Sequence, residues 1–121
     1  MTQEQLNILL EFWKRQLGLD AWDITATFHS HRELGGNTGQ GYIRAVFESA
    51  DIMILDPSDR VASFRDDGDP EVDLVHELVH VRLWSIDPEE TDGILHTCRE
   101  TAVEKIARAL VSIKRSGLGV A

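Results

Sequence analysis

His76-Glu77-Leu78-Val79-His80, announced by Asp69-Pro70-Glu71 a few residues earlier, is the stretch on which the reading of this chain turns. At 100° per residue of helix, His76 and His80 lie about 40° apart and Glu77 falls one step from His76. Two imidazoles and a carboxylate then share one sector of a helix. Neutral imidazoles at this spacing hold a metal ion, and a carboxylate beside them stands next to a metal-bound water as a candidate general base. Asp69 can cap free N–H groups and Pro70 is tolerated in a first turn, so a helix is expected over residues 70–86. Val72, Val75, Val79, Leu83 and Ile86 form one apolar stripe, and Leu74, Leu78 and Val81 add a second, as in a largely buried helix. Leaving a buried polar group unpaired costs on the order of 1–3 kcal/mol. A metal would satisfy His76, Glu77 and His80 together; the competing reading is a pair of histidines hydrogen-bonded to ordinary neighbours.

A catalytic zinc site normally takes three protein ligands and keeps one position open. The later sequence offers His96, Cys98, Glu100 and Glu104 as the third. Glu100 is the strongest, because residues 94–114 read as a second amphipathic helix with Cys98, Ala102, Ile106, Leu110 and Ile113 as its apolar face, and Glu100 and Glu104 share one side of it. His96 lies one turn before Glu100 and faces the same side, as a rival ligand, an oxyanion donor or a proton shuttle.

At these residues the chain resembles the gluzincin branch of the zincin metallopeptidases, in which HExxH is followed on a later helix by a ligand glutamate and, four residues on, by an acidic residue that orients a ligand histidine. The resemblance implies one zinc ion held by His76, His80 and Glu100, with Glu77 as base and Glu104 behind a ligand imidazole. Glu104 also has an independent reason to be there, since a ligating imidazole usually donates its other N–H to a carboxylate or carbonyl. The resemblance covers roughly residues 70 to 110, and the chain is similar also to short metallopeptidase-like proteins of bacteria and their phages. Large gluzincins stabilise the oxyanion with groups of a downstream subdomain that is not expected within these 121 residues, so those groups cannot be carried over. The metzincin pattern is excluded because positions 83 and 86 are Leu and Ile, and the peptide deformylase pattern because the single cysteine, Cys98, follows the motif instead of preceding it. On the apolar stripe, Cys98 reads as a small buried hydrophobe.

Length and composition set the frame. With 121 residues, of which 42% are hydrophobic, the chain is expected to form a single domain over 1–121, with a real core but no separate lid. One cysteine excludes an intramolecular disulfide, and the start lacks the basic and apolar runs of a signal peptide, which points to a cytoplasmic protein with no membrane span. A formal charge of −9 argues against nucleic acid as a partner. It reads first as a solubilising surface, and second as a preference for cationic peptides. Asp66, Asp67 and Asp69 around Gly68 lack the ligand spacing of a calcium loop and read as a turn.

Upstream, residues 1–17 read as a helix with a Thr2–Gln5 capping signal, apolar Leu6, Leu9, Leu10, Trp13 and Leu17, and Gly18 as terminator. Residues 22–64 read as a sheet region. Trp22, Ile24, Ala26 and Phe28 alternate with polar residues in a half-buried strand; a second strand is expected over Gly41–Glu48, and a third, Asp51–Leu55, is apolar enough to be central or covered. His31–Gln40, with Gly35, Gly36 and Gly39, is expected to be a hairpin loop or a flexible connection overhanging the site. His29 and His31 read as surface histidines, and Trp13, Trp22 and Trp84 as packing residues. Asp87-Pro88-Glu89-Glu90 reads as a capped turn, Asp92-Gly93 as a bend, and Gly117–Ala121 as a loose tail.

The fold expected is therefore α+β: an N-terminal helix, a small mixed or mostly antiparallel sheet of three or four strands, the HExxH helix and a C-terminal glutamate helix. The function expected is zinc-dependent hydrolysis of a peptide or protein substrate, with Glu77 as base and His96, Tyr42 and Arg82 as the side chains to test for oxyanion stabilisation. An extended substrate along a strand between Gly41 and Leu55 is what the resemblance implies. The alternatives are a zinc-binding interaction or regulatory module without turnover, and a globular protein whose HExxH is incidental.

Overall fold

The computed structural model describes residues 1–62, 68–86 and 93–117. The turns expected at Asp66–Asp67 and at 87–92, and the tail beyond Gly117, lie outside them. Over these residues the fold is α+β, with three α-helices and a three-stranded mixed sheet.

Helix α1 (Gln3–Gln16) opens on the expected capping box, Thr2 and Gln5 bonding each other's backbone N–H, and buries Leu6, Leu10 and Trp13. Gly18, at φ +68°, supplies the left-handed residue that ends it. Strands β1 (Asp23–His29), β2 (Gly39–Arg44) and β3 (Ser49–Leu55) follow. Their order is β1-β3-β2, with β1 parallel and β2 antiparallel to the central β3. The apolar run at 51–55 is thus the middle strand. Two strand expectations change. β2 stops at Arg44, because Ala45–Phe47 close a 3-10 turn and Glu48 takes a left-handed φ of 47°, conformations that a strand through Glu48 cannot hold. Residues 30–38 do not close a hairpin either: β1 and β2 are not neighbours, so this connection carries the chain across to the far edge of β3.

Register fixes the two faces of the sheet. Ile24, Ala50 and Ile43 form one row on the inner face, Ala26, Ile52 and Gly41 the next, and Phe28, Ile54 and Gly39 the third. The other face is largely polar, with Thr25 donating to Asp51 and Arg44 paired with the same carboxylate. Helices α1 and α2 (Pro70–Leu83) cover the inner face, and α3 (Gly93–Ser116) packs on α2.

Helix α2 starts where expected, Asp69 accepting from Glu71 N–H with Pro70 in the first turn. Val72, Leu74, Val75, Leu78, Val79 and Val81 are buried on both sides of it. The expected extension to Ile86 fails: after Leu83 the chain turns through three-residue hydrogen bonds, and Ile86 is 80% exposed.

The apolar face of α3 also differs from the expected one. Val103, Ala107 and Val111 are buried, whereas Ile106 and Ile113 are nearly half exposed and Cys98 is exposed. The inward side runs Glu100, Val103, Glu104, Ala107, Val111 and Lys114, so it is apolar in the middle and charged at both ends. Lys114 donates to Glu71 Oε2 at 2.6 Å, Arg115 to Glu71 Oε1 at 3.0 Å, and Trp13 Nε1–H to Glu71 Oε2 at 2.8 Å. Arg115 also pairs with the Asp69 cap. This cluster ties α1 and the end of α3 to the first turn of α2, and the other inward end of α3 thereby meets the histidines.

Candidate metal centre

Helical spacing turns His76 and His80 to the side of α2 that faces α3, and Glu100 meets them from α3. His76 Nε2 lies 3.0 Å from Glu100 Oε2, His80 Nε2 lies 3.0 Å from Glu100 Oε1, and the two Nε2 atoms are 3.2 Å apart. Among the described residues these three form the one His/Cys/Asp/Glu group compact enough to hold a metal ion. His29 instead contacts Thr27 and Glu33, and His31 is exposed.

The distances bear on whether a metal fits. Bonds of 2.0–2.1 Å in a tetrahedral arrangement separate ligand atoms by about 3.3 Å. The separations of 3.0–3.2 Å lie close to that edge. Protonation points the same way. Glu104 Oε1 lies 3.0 Å from His76 Nδ1, and a carboxylate can only accept, so Nδ1 carries the proton. Nε2 then presents a lone pair to the Glu100 carboxylate, and two acceptors 3.0 Å apart repel unless a cation or a second proton stands between them. Burial pushes the His76 imidazole down, but the charge of Glu77, the hydrogen bond to Glu104 and the charge and hydrogen bond of Glu100 together hold its pKa above the ordinary 6.5. The donor set is thus built for positive charge, and a divalent ion meets that demand without the extra proton. Two imidazoles and a carboxylate suit zinc.

Glu104 occupies the place expected for an orienting carboxylate and is itself held by Arg108 Nε–H at 3.0 Å. Glu77 Oε2 stands 4.0 Å from His76 Nε2, its side chain 12% exposed. It is beside the donor set without being part of it.

Two hollows that share Asn37, Gly39, Glu77 and Glu100 in their linings flank the cluster. One of about 580 Å³ is lined by Gly36–Gly39, His76, Glu77, Glu100, Glu104, Lys105 and Arg108. The other, of about 470 Å³, is lined by β2 from Gly39 to Gly41, Ile43, Glu77, His80, His96 and Glu100. Together they form a cleft along β2 that crosses the candidate centre. The β1–β2 connection does overhang it, through Gly36, Asn37 and Thr38.

His96 lines the cleft but stands outside the compact His76, His80 and Glu100 group. The other two oxyanion candidates are placed elsewhere. Tyr42 alternates with Gly41 and Ile43, so it faces away from α2, 55% exposed and accepting from Gln40 Nε2. Arg82 reaches the Gly18 carbonyl at the end of α1. The sequence reading gave Gly39 to a loop and Gly41 to a strand start and missed that both lie against Glu77. Their alternation inside a strand is the signal that a close approach was needed there. The chain matches no family model, no curated protein and no solved structure with which it was compared.

Proposed function

We propose that this protein is a zinc-dependent peptidase of gluzincin type, with His76, His80 and Glu100 as ligands. The observation that carries the reading is the convergence of both Nε2 atoms on the two oxygens of one carboxylate at 3.0 Å, with a second carboxylate, that of Glu77, 4.0 Å from His76 Nε2. Zinc bound there would supply a polarised substrate carbonyl and a water whose pKa is brought to about 7.

The chain's own residues account for the remaining chemistry. Glu77 takes a proton from the attacking water as its oxygen bonds to the amide carbon, and returns that proton to the nitrogen as the C–N bond breaks. Glu104 holds the Nδ1 proton of His76, which keeps the Nε2 lone pair turned toward the ligand position. His96, from the wall of the cleft, donates to the carbonyl oxygen or to the departing amine. Among the described residues the outer edge of β2 has no strand partner, and β2 lines the cleft, so that edge offers its backbone groups to an extended peptide.

Peptide or protein is the substrate class that goes with an acidic chain, since a net charge of −9 disfavours phosphate backbones. No helix among the described residues is long and apolar enough to cross a membrane, and we place the protein in the cytoplasm. A second reading, a zinc-binding module without turnover, is favoured by one observation: Tyr42 and Arg82 both lie away from the cleft. The two separate in one experiment. Zinc-loaded protein should degrade fluorescein-labelled casein, and Glu77→Gln should abolish this while retaining the metal. Wild-type protein that binds zinc and leaves casein intact would establish the module instead.

A further inference from the structure

β2 breaks the apolar inner face of the sheet with two glycines, Gly39 and Gly41, paired with the buried Ile54 and Ile52. Glycine inside a strand is unfavourable relative to alanine, and an edge strand of six residues with two of them on one face calls for a cause. Backbone conformation is not that cause. The positive-φ glycines among the described residues are Gly18, Gly35, Gly36, Gly93 and Gly117, so β2 at Gly39 and Gly41 could be followed by any residue.

Space is the cause. A Cβ on Gly39 would stand 3.2 Å from Glu77 Oε2, and one on Gly41 would stand 3.3 Å from Glu77 Oε1. Each glycine thus accommodates one oxygen of the same carboxylate. His76 Nε2, 4.0 Å from Oε2, bounds the carboxylate on another side. A methyl group at either position would require Glu77 to yield by a few tenths of an ångström, and the end of a flexible side chain can do so without unfolding the strand.

We infer that Gly39 and Gly41 are positioning residues for Glu77: the bare backbone of β2 is the wall that sets where the base carboxylate stands. This rests on the proposed role of Glu77, but the contact itself can be measured without it. A general base works only within a narrow geometry, and a misplacement of about 1 Å can cost about 100-fold in rate.

The test is a double-mutant cycle on the full chain, with Gly41→Ala introduced into wild type and into Glu77→Ala, each melted with and without zinc. In the Glu77→Ala background the added methyl meets empty space, so Gly41→Ala should raise the melting temperature there by at least 3 °C more than in wild type. Equal shifts in the two backgrounds would overturn the inference. The functional arm uses labelled casein: zinc affinity of Gly41→Ala should stay within threefold of wild type, while kcat falls by 10-fold or more at nearly constant KM. A Gly41→Ala protein with coupled melting and unchanged kcat would also overturn it, since the wall would then not position the base. If wild type has no turnover, the proposed peptidase fails, and the melting cycle alone decides whether the glycines seat Glu77.

Discussion

Replacing Glu104 by Gln leaves the shape of α3 intact and removes one negative charge from behind His76. The carboxylate accepts from His76 Nδ1 at 3.0 Å and from Arg108 Nε at 3.0 Å, and it is 34% exposed. The Gln carbonyl can still accept from Nδ1–H, so the loss is the charge-assisted part of one hydrogen bond. Disturbing a carboxylate behind a ligand imidazole usually costs 10–100-fold in metal affinity. Partial exposure and the shared Arg108 contact place this case near the lower end, at about 10-fold, or about 1.4 kcal/mol. Glu100→Gln should cost well over 100-fold, because it removes a charged ligand that touches both imidazoles. Zinc dissociation constants measured by competition with a chromogenic chelator give both values, and circular dichroism checks that each variant remains folded. Zinc held as tightly by Glu104→Gln as by wild type would refute the orienting role. Tighter zinc in Glu100→Gln than in Glu104→Gln would reverse the two roles.

His96→Ala should leave zinc affinity within threefold and lower turnover of labelled casein by about 100-fold, the bottom of the range for a positioned proton donor; a loss of zinc as large as in Glu100→Ala would make His96 a ligand. Glu71→Gln should lower stability at pH 7 by roughly 2–3 kcal/mol, less than a fully buried ion pair because its partners Lys114 and Arg115 are 29% and 51% exposed. That corresponds to a fall of roughly 10 °C in melting temperature. Burial raises the Glu71 carboxyl, but hydrogen bonds from Lys114, Trp13 and Arg115 outweigh it and hold the folded pKa below the ordinary 4.5. Its stabilisation is therefore complete above pH 4.5 and is lost as pH falls through the lower, folded value. The margin of wild type over Glu71→Gln should be flat from pH 7 to 5 and shrink below; a margin that holds down to acid unfolding would contradict this origin.

What the sequence made legible is what depends on local spacing. His76 and His80 needed only the helical repeat, and Thr2, Asp69 and Pro70 announced their helices through groups a few residues away. Glu100 and Glu104 could be paired with the motif because they share one helix side four residues apart. The core face of α3 was misplaced for a related reason: its inward side carries Glu100, Glu104 and Lys114, so an apolar count drifts toward Ile106 and Ile113, which lie at the flanks. Strand order was not legible, since β1 and β3 pair in parallel across the intervening β2 and no local pattern encodes that. The close approach of β2 to Glu77 depends on that order, and so Gly39 read as part of a flexible loop. Contacts such as Lys114–Glu71, which join residues 43 apart, are equally silent in a single sequence.

The central claim is that His76, His80 and Glu100 form a zinc site, and the most direct measurement is metal content by elemental analysis of protein purified without chelator and of apoprotein titrated with zinc. Wild type should carry or take up about one zinc per chain, and His76→Ala, His80→Ala and Glu100→Ala should each lose it while remaining folded. Wild-type protein that holds no zinc and takes up none, or a His76→Ala/His80→Ala double variant that retains one equivalent, would contradict the account.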